Sequence, residues 1–218
     1  MTDLPLVLLI ASVIGVLAFA ASGAVAGARA GMDWLGLSAL AAVTAIGGGT
    51  LRDLLMTQTP RWLVDFWPTL ALIAIAVAAV WVAAAVFPWQ RHKTWMGWSF
   101  TITDAVGLAA FTVVGTDIAL DAGFGAGPAV VLGVLSGIGG GIIRDVLADR
   151  RIAVFFTGEV YALAALAGAI TFVLVREVDV LAAFIVGTAV TLLIRLGAVA
   201  FGWRVPTLPS TSEDRSAG

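Results

Sequence analysis

The 218-residue chain has no cysteine and a single histidine, and only 12% of its residues carry charge. Without cysteine there is no disulfide, no thiolate metal site and no cysteine nucleophile. His92 alone cannot build a polyhistidine metal centre, so neither a metal nor a cofactor is expected. The near-zero net charge of -2 offers no basic field for a nucleic acid. Catalytic signatures are missing as well. There is no H-E-x-x-H, no G-x-S-x-G, no Walker sequence and no dinucleotide fingerprint after a soluble strand, so an enzyme is not expected. A soluble domain carries about 25% charged residues. With 61% hydrophobic residues and a mean hydropathy of +1.05, this chain has too little polar surface to enclose its apolar content in water. It reads as an all-α membrane protein whose first partner is the lipid bilayer.

A spanning helix needs about 20 mainly apolar residues. Seven segments qualify: residues 5–22, 34–56, 66–87, 98–116, 127–148, 154–175 and 179–202. Trp34, Trp62, Trp67, Trp89, Trp95, Trp98 and Trp203 fall near their ends, where an amphipathic indole suits the interface. The first segment reads as a retained span rather than a cleaved signal, because Asp3 stands where a signal is positive and no basic residue precedes Arg29. Residues 1–206 form one transmembrane domain, and the polar stretch 207–218 reads as a disordered cytoplasmic tail. Basic residues of the short loops set the orientation. Arg29, Arg91, Lys93, Arg150, Arg151 and Arg204 share one side and Arg61 and Arg176 the other, which puts the amino terminus outside and the carboxyl terminus in the cytoplasm.

The chain also repeats itself. "GGGTLRDLL" begins at residue 47 and "GGGIIRDVL" at residue 139, a shift of 92 positions. The same shift, without a gap, pairs Ile10 with Ile102, Gly15 with Gly107, Phe19 with Phe111, Gly23 with Gly115, Gly31 with Gly123 and Leu40 with Leu132. Each copy, about 5–87 and about 98–175, holds three spans. An odd number inverts the second copy in the membrane, leaving a seventh helix at about 179–202. Inverted repeats place their permeation or binding site at mid-membrane, on helices interrupted by Gly or Pro.

The glycine triplets Gly47, Gly48, Gly49 and Gly139, Gly140, Gly141 interrupt spans two and five. Three glycines lower helix propensity by roughly 1 kcal/mol each and bare the backbone, so a kink or a short unwound turn is expected. Carbonyls released there would replace part of a cation's hydration shell. Thr44, Gly48 and Arg52, like Ser136, Gly140 and Arg144, recur at four-residue intervals, putting a hydroxyl, bare backbone and a guanidinium on one helix face. Asp53 and Asp145 adjoin the arginines and pair with an arginine or with backbone donors, since an unpaired charge at membrane depth is costly. Glycines at four-residue spacing, 133, 137 and 141 or 23, 27 and 31, equally suit close helix packing. Asp104, whose repeat mate is Ser12, is either a cation-attracting carboxylate or a helix cap. Arg195, set in an apolar run, either faces the bundle or snorkels to the cytoplasmic surface. Three functions fit: a monovalent cation channel, a secondary transporter for a small zwitterion such as glycine, and a structural membrane protein.

Together with the loop "FAASGAVAGARAGMD", the segment "TDAVGLAAF" and the closing "RLGAVAFGWRVP", the duplicated motifs resemble the prokaryotic branch of the trimeric intracellular cation (TRIC) channel family over about residues 5 to 206. Members of this bacterial group also carry a glycine-transporter domain. The resemblance implies a homotrimer of seven-helix protomers in the bacterial inner membrane, with lipids bound between protomers. It further implies one potassium-permeable pore per protomer, lined by the glycine-kinked spans two and five, with K+ as the permeant ion. Arg52, Asp53, Arg144 and Asp145 would complete the kink motifs and gate the pore. Family members commonly have an acidic residue at the position of Ser12, so the pore charge here is less symmetric.

Overall fold

The computed structural model describes residues 4–86, 93–149 and 160–204. Among these, every regular element is helical: α1 (Leu4–Arg29), α2 (Trp34–Leu55), α3 (Arg61–Val64), α4 (Phe66–Val86), α5 (Lys93–Asp121), α6 (Ala126–Leu147), α7 (Tyr161–Arg176) and α8 (Val180–Phe201). All but α3 and α7 are long and apolar enough to cross a membrane. The expected start of span six at residue 154 and the 207–218 tail lie outside the described residues, as do His92, Arg91, Arg150, Arg151 and Trp89. Helices α1 and α5 outrun the expected spans because Ser22, Thr116 and Asp117, which ended the apolar runs, are buried inside the bundle. The single turn α3 was not anticipated, since four residues are too few to show a period.

Helix α5 is the axis of the fold. It packs against α1, α6, α7 and α8, and 83% of its spanning segment is buried. Small residues make this possible, with Gly107, Ala109, Ala110, Gly115 and Ala119 along its length. Helix α4 is the opposite case, only 17% buried, and it rests on α1 and α2. Its outward face of Leu70, Ile75, Trp81, Val82 and Val86 suits acyl chains, and an apolar surface there needs no polar cover.

The 92-residue shift is visible in the backbone. Gly31 (φ 74°) and Gly123 (φ 88°) make the turns after α1 and α5, a conformation open to glycine at no steric cost. Helices α2 and α6 both have 22 residues, with C-caps at Met56 (φ -84°, ψ 5°) and Ala148 (φ -87°, ψ 7°). Thr57 (φ 55°) and Asp149 (φ 50°) then take the same left-handed turn. In the core Phe19 and Phe111 meet with ring centroids 5.4 Å apart. Each ring lies against the glycine of the other copy: Gly107 beside Phe19, Gly15 beside Phe111.

Candidate functional site

Helices α2 and α6 cross at their glycine triplets. A Cβ added at Gly48 would lie 2.1 Å from the Ser136 carbonyl oxygen, and one added at Gly140 would lie 2.2 Å from that of Thr44. Both distances are far inside van der Waals contact, so the crossing demands glycine at these two positions. Of the expected kink or short unwound turn, the unwound turn is not found: both helices remain α-helical through residues 47–49 and 139–141. In a membrane each amide freed by unwinding needs a new partner, and here the bare backbone serves close approach instead. Thr44 donates to the Leu40 carbonyl at 2.6 Å and packs on Gly23. Ser136 packs on Gly115, and its hydroxyl accepts from Arg52 Nη1 at 3.3 Å.

The packing expectation for the four-residue glycine rows holds in part. Gly133 and Gly137 press on Thr112, Thr116 and Leu108 of α5, while Gly23 and Gly27 press on α2. Gly31 belongs to the turn, with nothing within 4 Å of an added Cβ.

Arg144, on the last turn of α6, is enclosed. Its Nη1 donates to Asp104 Oδ1 at 2.5 Å and to Ser22 Oγ at 2.7 Å, and its Nη2 lies 2.9 Å from Asp145 Oδ1. The Phe100 ring covers the guanidinium with its centroid 4.6 Å away, and Tyr161 donates its hydroxyl to Asp104 Oδ1 at 3.2 Å. Arg144, Asp104 and Tyr161 are each only 1% exposed. Four helices, α1, α5, α6 and α7, thus contribute to one enclosed cluster, in which a single guanidinium is shared by two carboxylates.

Arg52, at the matching place on α2, has a lighter shell. Its Nε and Nη2 donate to Asp53 Oδ1 at 2.9 and 2.7 Å. The second oxygen of Asp53 accepts the backbone amide of Arg61 at 2.9 Å, tying the turn of α3 to α2. Trp62 Nε1 adds a bond to Thr50 Oγ1 at 3.0 Å. Arg52 and Asp53 reach the wall of a cavity of about 420 Å³, whose lining also includes Ser12, Gly49, Arg61, Asp65 and Thr69.

Asp104 lies well inside α5, so it caps no helix, and its charge is engaged by Arg144. Arg195 faces the bundle rather than the surface, 5% exposed with its guanidinium 4.7 Å from the Tyr161 ring centroid. Sequence reasoning missed Ser22, Phe100 and Tyr161 as partners of Arg144. It also missed Asp117, buried on α5, which receives Arg176 Nε at 2.9 Å while Arg176 Nη2 reaches Asp121. Tyr161, the sole tyrosine, was the available signal. Among the described residues no group of three or more His, Asp or Glu side chains is placed to hold a metal.

The site therefore defines a multi-pass membrane protein in which two related helices cross backbone to backbone and each carries a buried Arg-Asp pair. A family model described as "Glycine transporter" matches the chain twice, over residues 9–85 and 101–177, copies displaced by the same 92 positions. The UPF0126 inner membrane protein YadS of Escherichia coli strain K12 is 38% identical over 199 residues, covering 89% of this chain and 93% of its own. A UPF0126 membrane protein of Vibrio cholerae is 39% identical over 203 residues, 90% of this chain and 81% of that one. Among solved structures, the TRIC trimeric intracellular cation channel orthologue from Rhodobacter sphaeroides is 34% identical with a TM-score of 0.80, covering 90% of this chain and 99% of that one. A prokaryotic TRIC channel crystallised in 0.5 M KCl is 25% identical with a TM-score of 0.84, covering 93% and 100%. The chain belongs to the TRIC channel family.

Proposed function

We propose that the chain is a potassium-permeable monovalent cation channel of the bacterial inner membrane, a homotrimer in which each protomer holds its own pore along α2 and α6. The cavity lined from α1, α2, α4, α5 and the turn of α3, whose Arg52 reaches Ser136 of α6 by a hydrogen bond, carries the reading. Family membership supports it, since the related solved structures are named as cation channels and the Escherichia coli relative as an inner membrane protein. The two repeats enter the membrane from opposite sides, α8 is the seventh span, the amino terminus is outside, and lipids fill the seams between protomers. Residues 1–206 act as one domain. Arg52 with Asp53 and Arg144 with Asp145 are the gating pairs. One charge crossing the whole field is worth about 2.3 kcal/mol per 100 mV, so partial movement of either guanidinium gives voltage dependence. An open-probability curve unchanged after both arginines are neutralised removes that gating role.

Transport of a small zwitterion is the second reading, favoured by the description of the matching family model and by a cavity whose wall includes an exposed guanidinium, Arg61, able to take a carboxylate. Single-channel recording of the purified protein in a planar bilayer under a potassium gradient, with glycine added afterwards, separates the two. Unitary currents reversing near the potassium equilibrium potential are expected. Electrical silence with saturable glycine uptake in liposomes overturns the channel.

A further inference from the structure

The cavity wall carries four charged side chains, Arg52, Asp53, Arg61 and Asp65. Two of them are engaged with each other and buried, Arg52 being 3% and Asp53 1% exposed. Asp53 is fully used, one oxygen by the Arg52 guanidinium and the other by the Arg61 amide. Arg61 and Asp65 are both exposed and bracket α3. Asp65 is fixed by its backbone, its amide bonding the Arg61 carbonyl at 2.9 Å and its carbonyl receiving the Thr69 amide at 3.0 Å. Among the described residues its carboxylate takes part in no ion pair or hydrogen bond. The charge at the cavity wall that is open to solvent is therefore one cation, Arg61, and one anion, Asp65.

We propose that Asp65 is a conductance-determining residue, the solvent-facing carboxylate that offsets Arg61 and keeps the cavity mouth open to cations. The inference rests on the channel reading. Asp104 does not have this part, because Arg144 neutralises it away from the cavity. Removing Asp65 leaves Arg61 as the sole exposed charge on the lining, which turns the mouth cationic. A unit charge about 6 Å from a passing ion in water changes its local concentration about threefold. That influence is screened as the Debye length falls from about 10 Å at 0.1 M salt to about 3 Å at 1 M.

The test is single-channel recording of the full chain and of Asp65→Asn, Asp65→Glu and the pair Arg61→Gln with Asp65→Asn, in potassium chloride from 0.05 to 1 M. Asp65→Asn is expected to lower conductance about threefold at 0.05 M for cations entering from the cavity side. It should have little effect for cations entering from the other side and none at 1 M. Asp65→Glu should match the parent chain, and the double variant should recover most of the loss. Unaltered low-salt conductance in Asp65→Asn overturns the proposal, and so does a loss that persists at 1 M or is not rescued by Arg61→Gln. A parent chain that passes no unitary current overturns the channel reading itself, which is a different failure.

Discussion

Around Arg144, the positions of Ser22, Phe100, Asp104 and Tyr161 close in on the guanidinium. Around Arg52, the residues 92 positions away from those four are Val114, Leu8, Ser12 and Thr69, and all four line the open cavity. The two centres share helix ends, glycine crossings and Arg-Asp pairs, yet one is filled and the other is hollow. The difference lies in four side chains. Phenylalanine for leucine and tyrosine for threonine add volume; aspartate for serine adds a counter-charge; serine for valine adds an acceptor. A duplicated backbone thus holds one enclosed arginine and one arginine beside solvent-accessible space, and the asymmetry comes from residues outside the duplicated motif.

Removing the guanidinium gives the largest expected contrast. Arg144→Met strands Asp104 and Asp145 in the interior, and breaking a buried pair costs about 3–5 kcal/mol. Arg52→Met leaves Asp53 with the Arg61 amide still bound and with cavity space beside it, so a loss of about 1–2 kcal/mol is expected. Denaturant unfolding in detergent measures both. Adding Asp104→Asn to Arg144→Met should restore part of the loss by removing a stranded charge. Equal losses for the two arginines would show that the filled and hollow centres do not differ energetically.

A smaller contrast uses one substitution at two repeat-related glycines, with opposite expected signs. A Cβ at Gly141 would lie 2.8 Å from the Tyr161 hydroxyl oxygen, in the filled centre. Gly141→Ala should cost about 1–3 kcal/mol through overpacking. At Gly49 the nearest atom is Arg52 Nη2 at 3.8 Å, so Gly49→Ala should stabilise α2 by up to about 1 kcal/mol through helix propensity. A stabilising Gly141→Ala would mean that Tyr161 yields freely and that the filled centre is loosely packed.

These contrasts also mark where sequence reasoning reached and where it stopped. The repeat, the membrane class and the Arg-Asp motifs were legible because they are written as identities at a fixed shift or as long apolar runs. The partners were not. Ser22 and Tyr161 come to Arg144 from α1 and α7, and nothing in their local sequence announces a tertiary contact. The glycine triplets were read from propensity as the place of a kink or a short unwound turn; the helices do not unwind there, and Gly48 and Gly140 serve a close crossing that no local preference announces. Asp104 was singled out correctly as a polar residue in an apolar helix, but its partner lies 40 residues away, beyond the reach of any helical spacing.

The gentlest probe leaves stability almost untouched and asks only whether water reaches each centre. The chain has no cysteine, so a single introduced thiol is unambiguous. Ser12 lines the cavity and its hydroxyl bonds only the Leu8 carbonyl one turn back, so Ser12→Cys should shift stability by no more than about 0.5 kcal/mol. Asp104 is its repeat mate, but substitution there would strip Arg144 of a carboxylate, so Ser22, 0% exposed in the same filled centre, is the milder comparison, a thiol there weakening one hydrogen bond from Arg144 and leaving both carboxylates in place. A charged methanethiosulfonate reagent should modify Ser12→Cys in the native protein, whereas Ser22→Cys should react only after unfolding. If both thiols react at similar rates, the filled centre opens on the reagent's timescale, and the four side chains that distinguish it do not exclude water. If Ser12→Cys alone reacts and the attached cation then lowers potassium current, the hollow centre lies on the conduction path, and the asymmetry between the two arginines becomes a property of the pore.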